Sequence, residues 1–175
     1  METAGIRIRQ ATDEDVETVS SVLKEAAHWL EQSGMPLWRD HELEPERIAA
    51  EVHAGLFFLA EAFGKSAGTL KFQLDDPIVW PDATPPDATY VHRLAVRRQY
   101  AGTGLSTALL SWAVNRTRSL GRRYVRLDCV ATLPRLRAVY ERFGFHYHSE
   151  KQFGPYLVSR YQYDVTEEHS ALLNY

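Results

Sequence analysis

Two glycines in the middle of the chain, Gly102 and Gly104, follow an apolar stretch and precede residues that repeat at helical spacing. Glycine tolerates positive φ and lets an anion approach the backbone closely. Successive N–H groups of such a turn point outward, and the first N–H groups of the next helix have no intrahelical partner. The helix dipole also favours negative charge. The spacing therefore predicts a phosphate-binding turn, to which Arg97 and Arg98 can add positive charge.

Several kinds of protein bind phosphate at a glycine turn. A P-loop requires Lys and Ser/Thr directly after its last glycine, and Leu105 and Ser106 stand there instead, so this interpretation is excluded. A dinucleotide-binding (Rossmann-type) enzyme requires Gly or Ala at the position of Thr107 and an acid about 20 residues further on. Asp128 has a suitable spacing but Thr107 does not fit, which leaves the dinucleotide enzyme as a weaker alternative.

The spacing Gln99-x-x-Gly102-x-Gly104 resembles the acyl-CoA signature of the GNAT superfamily of N-acetyltransferases. Residues 140–145, which read Tyr-Glu-Arg-Phe-Gly-Phe, resemble the late helix-to-strand motif of that superfamily. The two motifs stand in the superfamily's order, and the resemblance covers about residues 6–163.

The resemblance implies an enzyme that transfers the acetyl group of acetyl-CoA, its co-substrate, to a primary amine. The acceptor would be a small molecule or a peptide that attacks directly in a ternary complex. Backbone groups of the preceding strand would hold the pantetheine arm, and the turn would hold the pyrophosphate. The implied cofactor-binding residues are Leu94, Ala95, Val96, Gln99, Tyr100, Ala101, Gly102, Thr103, Gly104, Leu105 and Ser106.

Aminolysis of a thioester poses two proton-transfer problems. The acceptor ammonium, with a pKa near 10, must lose a proton, and the leaving thiolate, with a pKa of about 8.5, benefits from one. Tyr140 stands where many superfamily members carry the general acid. His92 is the tentative base, because strand alternation would place it on the same face as Leu94. Asp128 is the other candidate, and a reaction without a protein base stays open.

The resemblance also assigns residues around the acceptor. Trp38 and Arg39 lie in a loop that borders the acceptor pocket in the superfamily, so they are candidates for substrate contact. One departure concerns Leu133, because many members have an asparagine there that contacts the cofactor arm. This departure motivates a second hypothesis, a non-catalytic acyl-CoA-binding module.

The elements that must position these residues can be predicted from periodicity and breakers. A strand at Ile6–Arg9 precedes a helix that begins near Thr12 and ends near Ser33, and a second helix begins near Pro45. The later elements are strands at Leu56–Ala62 and Ala67–Leu74, a proline-rich loop at Asp75–Thr89, a strand through Val96, a helix ended by Gly121, a strand at Tyr124–Val130, a helix from Pro134 to Gly144, and strands from Phe145 and at Tyr156–Tyr163.

Together with the resemblance, these elements predict an α/β (α+β) fold. We expect a mixed, mostly antiparallel central sheet of about six to seven strands, flanked by about four helices, with a splayed central strand pair. The 175 residues would form a single domain with an ordered core of about 6–163 and a tail of 164–175. Exposed strand edges in this superfamily often pair, so a homodimer is a further expectation.

Composition narrows the classes of partner. The formal net charge of −3 offers no basic field for nucleic acid, and no segment reaches the ~18 apolar residues of a membrane span. A cytoplasmic protein is expected. A lone cysteine, Cys129, excludes an intrachain disulfide and is expected to be a buried thiol. His146 and His148 have no third ligand at a recognisable spacing, so no metal site is predicted.

Overall fold

The computed structural model describes residues 2–3, 5–83 and 86–167. The strands in this part of the chain are β1 (Glu2–Thr3), β2 (Ile6–Gln10), β3 (Phe57–Ala62), β4 (Lys65–Gln73), β5 (Ala88–Val96), β6 (Tyr124–Val130), β7 (His146–Phe153) and β8 (Tyr156–Asp164). The α-helices are α1 (Val16–Gln32), α2 (Pro45–His53), α3 (Leu105–Ser119) and α4 (Pro134–Phe143). The chain divides into two compact units, Met1–Phe72 with Val91–Trp112, and Gln73–Tyr90 with Ala113–Tyr175.

Strands β1 to β4 form an antiparallel meander in the first unit. The connection between β3 and β4 consists of Phe63 and Gly64, with φ of +51° and +74°. Two residues in the left-handed region match the right-handed twist of the flanking strands, which favours a tight hairpin. Lys65 and Ser66, expected in the connection, already belong to β4.

Helix α1 begins after a capping box, in which the Thr12 N–H donates to Asp15 Oδ2 at 2.8 Å. Arg9 on β2 also donates to both Asp15 oxygens, at 2.7 and 2.8 Å. The buried face of α1 is apolar at helical spacing, as the sequence predicts. It shares one core with α2 and β3, formed by Ala11, Val19, Val22, Leu23, Ala26, Ala27, Leu43, Ile48, Val52, Phe57, Leu59 and Ala95.

The strands of the second unit form both parallel and antiparallel pairs. Ala88–Tyr90 of β5 pair in parallel with Tyr124–Arg126 of β6, whereas β6 with β8 and β8 with β7 are antiparallel. The register between β7 and β8 shifts at His148, where the edge strand bulges. Bulges of this kind discourage further strands from pairing with a sheet edge.

Two arginines near the end of α3 donate hydrogen bonds to backbone carbonyls of the second unit. Arg118 Nη2 donates to the Val165 carbonyl at 2.8 Å, and Arg122 Nη1 donates to the Ala88 carbonyl at 2.5 Å. Val165 is itself buried, and Asp164 belongs to β8, so the predicted tail begins too early. Residues 168–175 of that tail lie outside the described residues.

The predicted fold class is confirmed as a mixed, mostly antiparallel sheet with four helices, to which the two-residue β1 adds a further strand. Because a doubly wound dinucleotide-binding fold has a parallel sheet, the Rossmann-type alternative is wrong. The assignment of the chain to one domain stays a prediction. No helix among residues 2–3, 5–83 and 86–167 is long and apolar enough to cross a membrane.

Candidate functional site

The predicted phosphate-binding turn begins where β5 ends, at Val96, in the first unit. Residues Arg98–Tyr100 form a single 3₁₀ turn. Thr103 then fixes the chain, because its N–H and its hydroxyl both donate to the Tyr100 carbonyl, at 3.3 and 2.7 Å. Side chain and backbone of Thr103 therefore hold the middle of the turn.

Both glycines of the turn have the conformation expected of them. Gly102 and Gly104 have φ of +76° and +82°, and a Cβ atom at either would meet no atom within 4 Å. The Ala108 N–H donates to the Gly104 carbonyl at 2.9 Å, so the N–H groups of residues 105–107 precede the first intrahelical bond. The turn thus has the exposed backbone and helix N-terminus that bind an oxyanion.

Arg97 is held by the first unit itself. Its guanidinium donates to Glu25 Oε2 at 2.6 Å, to Ser21 Oγ at 3.1 Å and to the Ser66 carbonyl at 3.1 Å. An ion pair at this distance offsets much of the field of both charges. Glu25 therefore offsets much of the positive charge that Arg97 can add to the turn.

Arg98 contacts α1 through backbone and side chain. Its N–H donates to Glu25 Oε1 at 2.8 Å, and its guanidinium carbon lies 3.8 Å from the centroid of the Trp29 ring. Burial acts to raise the pKa of Glu25, but the hydrogen bonds from Arg98 and Arg97 outweigh it and lower that pKa. Glu25 is therefore a carboxylate at neutral pH.

The strand residues predicted to hold a cofactor arm are mostly apolar and partly accessible. Ala95 is buried, whereas Leu94 and Val96 are half-buried. Within the same strand Arg93 has φ of +49°, a left-handed conformation that is uncommon for a residue other than glycine. This residue is a backbone irregularity three residues before the end of the strand. Arg93 Nη1 also donates to the Glu42 carbonyl, at 3.2 Å.

His92, the tentative base, is half-buried in β5 of the first unit. Strand alternation predicts that its side chain shares a face with Leu94. This argument does not hold, because the left-handed Arg93 between them interrupts the extended geometry on which alternation depends. The role of His92 as base stays a prediction that rests on its position in the strand.

Trp38 and Arg39 lie in the segment between α1 and α2. Trp38 is half-buried and packs against the apolar core of the first unit. Arg39 is exposed, and its N–H donates to Glu42 Oε2 at 2.8 Å at the start of a 3₁₀ turn. Arg39 is thus the more accessible of the two predicted substrate contacts.

Tyr140 lies in the second unit, near the C-terminal end of α4. Gly144, the residue after this helix, has φ of +116°. The side chain of Tyr140 is buried, and its ring centroid lies 6.1 Å from that of Phe145 and 6.4 Å from that of Tyr161. Burial raises the pKa of the phenol well above its usual range, and the charge of Asp128 adds to the effect. Tyr140 is therefore protonated throughout the physiological pH range.

A polar network that the sequence does not predict lies beside Tyr140. Tyr161 on β8 donates its hydroxyl hydrogen to Glu141 Oε1 at 2.6 Å. The same hydroxyl oxygen accepts from Arg137 Nε at 2.9 Å. Only the spacing of Arg137 and Glu141, one helical turn apart, could have indicated an interaction. Their shared partner comes from a strand 20 residues further on.

Cys129 is buried in β6, as expected. Burial, followed by the charge of Asp128, raises the pKa of its thiol to about 12. A thiol is a poor nucleophile when it is protonated, so Cys129 is a structural side chain.

Leu133 is the N-cap residue of α4, with φ of −106° and ψ of 79°, and its side chain makes no capping hydrogen bond. It is half-buried. The position at which the superfamily has a cofactor-contacting asparagine is therefore occupied by an apolar side chain that also leaves the helix N-terminus uncapped.

The histidines of β7 are both exposed. His146 Nε2 lies 3.8 Å from Glu167 Oε2, and His148 Nδ1 lies 2.7 Å from Ser149 Oγ. His148 also contacts the Trp80 ring edge to face, with the ring centroids 5.0 Å apart. Each histidine therefore has its own neighbours.

The chain is similar in sequence to known acetyltransferases. Residues 23–145 match the model of the acetyltransferase (GNAT) family. Over 164 residues, the chain is 27% identical to the uncharacterized N-acetyltransferase YesJ of Bacillus subtilis (strain 168), and the match covers 90% of this chain and 89% of that protein.

Solved structures show the same fold. A GNAT-family acetyltransferase from Listeria monocytogenes 4b F2365 superposes with a TM-score of 0.79 at 25% identity, covering 94% of this chain and 98% of that one. YncA of Salmonella typhimurium, solved with acetyl-CoA, gives a TM-score of 0.69 at 18% identity, covering 95% of this chain and 97% of that one. The late motif and the turn at residues 99–104 thus occur within a fold shared with these proteins.

Proposed function

The chain belongs to the acetyltransferase (GNAT) family, and from this premise we propose that it transfers acetyl from acetyl-CoA to a primary amine. The acceptor is a small molecule or the N-terminus of a peptide. It attacks the thioester directly, while both substrates are bound. Acetyl-CoA is the co-substrate of this enzyme family, and the proposal concerns the acceptor and the residues that carry the reaction.

The exposed glycine turn before α3 is the observation that carries the proposal. Gly102 and Gly104 leave open space over a backbone whose N–H groups continue into the first turn of a 15-residue helix. A diphosphate carries negative charge on several oxygens, and a row of N–H donors at a helix N-terminus complements it. Within residues 99–106, the N–H groups of Tyr100, Ala101 and Thr103 already donate to backbone carbonyls. We therefore assign the pyrophosphate of acetyl-CoA to the other N–H groups of this segment, those of Gln99, Gly102, Gly104, Leu105 and Ser106.

The pantetheine arm is assigned to the backbone of Leu94, Ala95 and Val96. These side chains are apolar and either buried or half-buried, so the polar groups that these residues offer a ligand are those of the main chain. The left-handed Arg93 supports this assignment, because an irregular residue removes backbone groups from regular pairing. An N–H freed in this way can donate to the thioester carbonyl oxygen and stabilise the charge that develops there.

Tyr140 is proposed as the general acid. The amine nitrogen attacks the thioester carbonyl carbon, the C–N bond forms, and the C–S bond breaks with its electron pair moving to sulfur. The phenol of Tyr140 then donates its proton to the departing thiolate. Burial keeps the phenol protonated at neutral pH, but the raised pKa also makes it a weaker acid than the departing thiol. The proposed role therefore rests on the position of Tyr140 in the late motif.

The proton of the acceptor ammonium requires a separate path. His92 is the proposed base, on the strength of its position in the strand that leads to the turn. Asp128 is the alternative, and release of the proton to water needs no side chain. Trp38 and Arg39 are proposed to contact the acceptor. A homodimer and a cytoplasmic location stay predictions of the sequence.

The function is tested on the purified full chain by calorimetric titration with acetyl-CoA, CoA and NAD. Incubation with acetyl-CoA and a panel of amines, amino acids and short peptides follows, with products identified by mass spectrometry. We expect micromolar binding of acetyl-CoA, no binding of NAD and an N-acetylated product. Binding of acetyl-CoA without product from any amine would instead favour the non-catalytic acyl-CoA-binding module, the hypothesis that Leu133 motivates. Absence of CoA binding would contradict the proposal.

A further inference from the structure

Glu25 on α1 bridges two consecutive residues at the start of the phosphate-binding turn. Its Oε2 accepts from Arg97 Nη1 at 2.6 Å, and its Oε1 accepts from the Arg98 N–H at 2.8 Å. One carboxylate therefore binds a side chain and the adjacent backbone at once. The residues lie more than 70 positions apart in sequence, so the contact joins two distant segments of the first unit.

Neighbouring side chains on α1 complete the contact. Ser21, Glu25 and Trp29 are spaced four residues apart and so lie along one face of the helix. Ser21 Oγ accepts from Arg97 Nη2 at 3.1 Å, and the Trp29 ring lies beneath the Arg98 guanidinium. We call these three residues the α1 stripe. Its members hold the two arginines by three different interactions.

The opposite side of Arg97 is held as well. Arg97 Nε donates to the Ser66 carbonyl at 3.1 Å, and the Arg97 N–H donates to the Ala67 carbonyl at 2.8 Å. Both acceptors belong to β4 of the same unit. Arg97 is thus fixed between α1 and β4, and the chain leaves it in a defined direction towards the glycines.

We propose that Glu25 is a positioning residue for acetyl-CoA binding, which orients the N–H groups of the phosphate-binding turn through Arg97 and Arg98. The proposal rests on the proposed function, specifically on binding of the pyrophosphate at residues 99–106. Glycine-containing turns have many accessible conformations, and a hydrogen bond at the first residue of the turn removes part of that freedom before the ligand arrives.

The negative charge of Glu25 makes this role testable. A carboxylate beside a phosphate site would weaken anion binding if its charge were exposed. Here the carboxylate is paired with Arg97, so the geometric effect and the electrostatic effect of its removal oppose each other. If Glu25 positions the turn, its loss must weaken acetyl-CoA binding although a negative charge has been removed.

The experiment compares Glu25→Ala, Glu25→Gln and the control Glu31→Ala, which alters an exposed acid on the same helix. We expect Glu25→Ala to raise both the Kd and the KM for acetyl-CoA by about tenfold, because hydrogen bonds to a charged group are lost. The kcat at saturating acetyl-CoA and the KM for the amine should stay within about twofold of wild type. Glu25→Gln, which keeps an acceptor for the Arg98 N–H, should restore part of the affinity.

Outcomes that contradict the inference are distinct from those that contradict the function. If wild type binds acetyl-CoA and Glu25→Ala binds it equally well or more tightly, the positioning role is overturned. The proposed acetyltransferase function is not affected by this result. If the wild-type protein does not bind CoA, both the proposed function and the inference about Glu25 are overturned. If Glu25→Ala does not fold, Glu25→Gln decides: affinity and hydrogen exchange of residues 97–104 identical to wild type would overturn the inference.

Discussion

A Cβ atom placed on Gly68 of β4 would lie 2.8 Å from the carbonyl oxygen of Ala95 on β5. It would also lie 3.3 Å from a methyl group of Leu105 and from one of Leu109, both on α3. The absence of a side chain at Gly68 therefore permits the last residues of β5 and the start of α3 to approach β4. The proposed phosphate-binding turn lies between these two segments.

Gly68→Ala should destabilise the protein by about 1–3 kcal/mol, because the added methyl group must displace backbone as well as side chains. The same displacement should raise the KM for acetyl-CoA. Urea denaturation measures the first effect, and steady-state kinetics measure the second. Unchanged values of both would show that β4 and β5 separate without cost.

Gly102→Glu should abolish acetyl-CoA binding, since its side chain brings bulk and negative charge to the proposed pyrophosphate site. Gly121→Glu is a matched control, because Gly121 has φ of +69° and equally open surroundings. Both variants should lose about 1–2 kcal/mol of stability from a left-handed non-glycine residue. Calorimetric titration with acetyl-CoA distinguishes the two variants. An equal loss of acetyl-CoA affinity in both would mean that backbone strain, and not a blocked pyrophosphate site, causes the loss.

Tyr140→Phe should lower kcat about 100-fold or more while leaving the KM for acetyl-CoA nearly unchanged, because only the proton donor is removed. Tyr147→Phe, which alters an exposed tyrosine on β7, is the control. Because burial raises the pKa of Tyr140, deprotonation of the acid should reduce activity only above the usual tyrosine range. Rates of Tyr140→Phe equal to wild type at saturating substrates would contradict the assignment.

Leu133→Asn should stabilise α4 by about 1 kcal/mol, because asparagine is a favourable N-cap and leucine is not. It should also tighten acetyl-CoA binding if the restored amide reaches the cofactor arm. Leu133→Ala provides the comparison, since it removes the apolar side chain without supplying a cap. Thermal denaturation and calorimetry report the two effects, and a destabilised Leu133→Asn would indicate that packing of the leucine dominates.

The pair formed by Asp82 and Arg160 should make stability depend on acid pH. Hydrogen bonds from Arg160, at 2.6 and 3.2 Å, lower the pKa of Asp82 to about 2 from an ordinary value of 3.8. A carboxyl whose folded pKa is depressed stabilises the protein above its unfolded pKa and loses this contribution as pH falls through the folded value.

Asp82→Asn should therefore cost stability at pH 6, and the difference from wild type should decrease as pH falls from about 4 to about 2 and vanish below that. The side chain of Asp82 is 59% exposed, so we expect a cost of no more than about 1 kcal/mol. Asp75→Asn, at an exposed position in the same loop, is the control. Urea titrations at several pH values measure both, and a difference that is as large at pH 2 as at pH 6 would exclude the ion pair as its cause.

The sequence predicts well those features that depend on neighbouring residues. Gly144 ends α4 in the left-handed region, Thr12 and Asp15 form the capping box, and β6 has the bounds expected for it. Each of these features depends on a few adjacent residues, whose intrinsic conformational preferences agree with the fold. The glycine spacing at residues 99–104 belongs to the same class.

The features that sequence reasoning missed depend on contacts between distant segments. Nothing near Arg97 indicates that Glu25 pairs with it, and nothing near Arg137 indicates Tyr161. The left-handed conformation of Arg93 is also unexpected, because arginine has no intrinsic preference for it and the surrounding structure must impose it. Local patterns therefore gave the elements and the turn but not the partners of its charged residues.

The burial of Cys129 has a practical consequence for enzymology. Turnover of acetyl-CoA is conveniently followed with disulfide reagents that detect the free thiol of released CoA, and a protein thiol that reacts with them contributes background. Cys129 is the sole cysteine of the chain, and its pKa of about 12 leaves almost no thiolate at neutral pH. The folded enzyme should therefore contribute little background to such an assay.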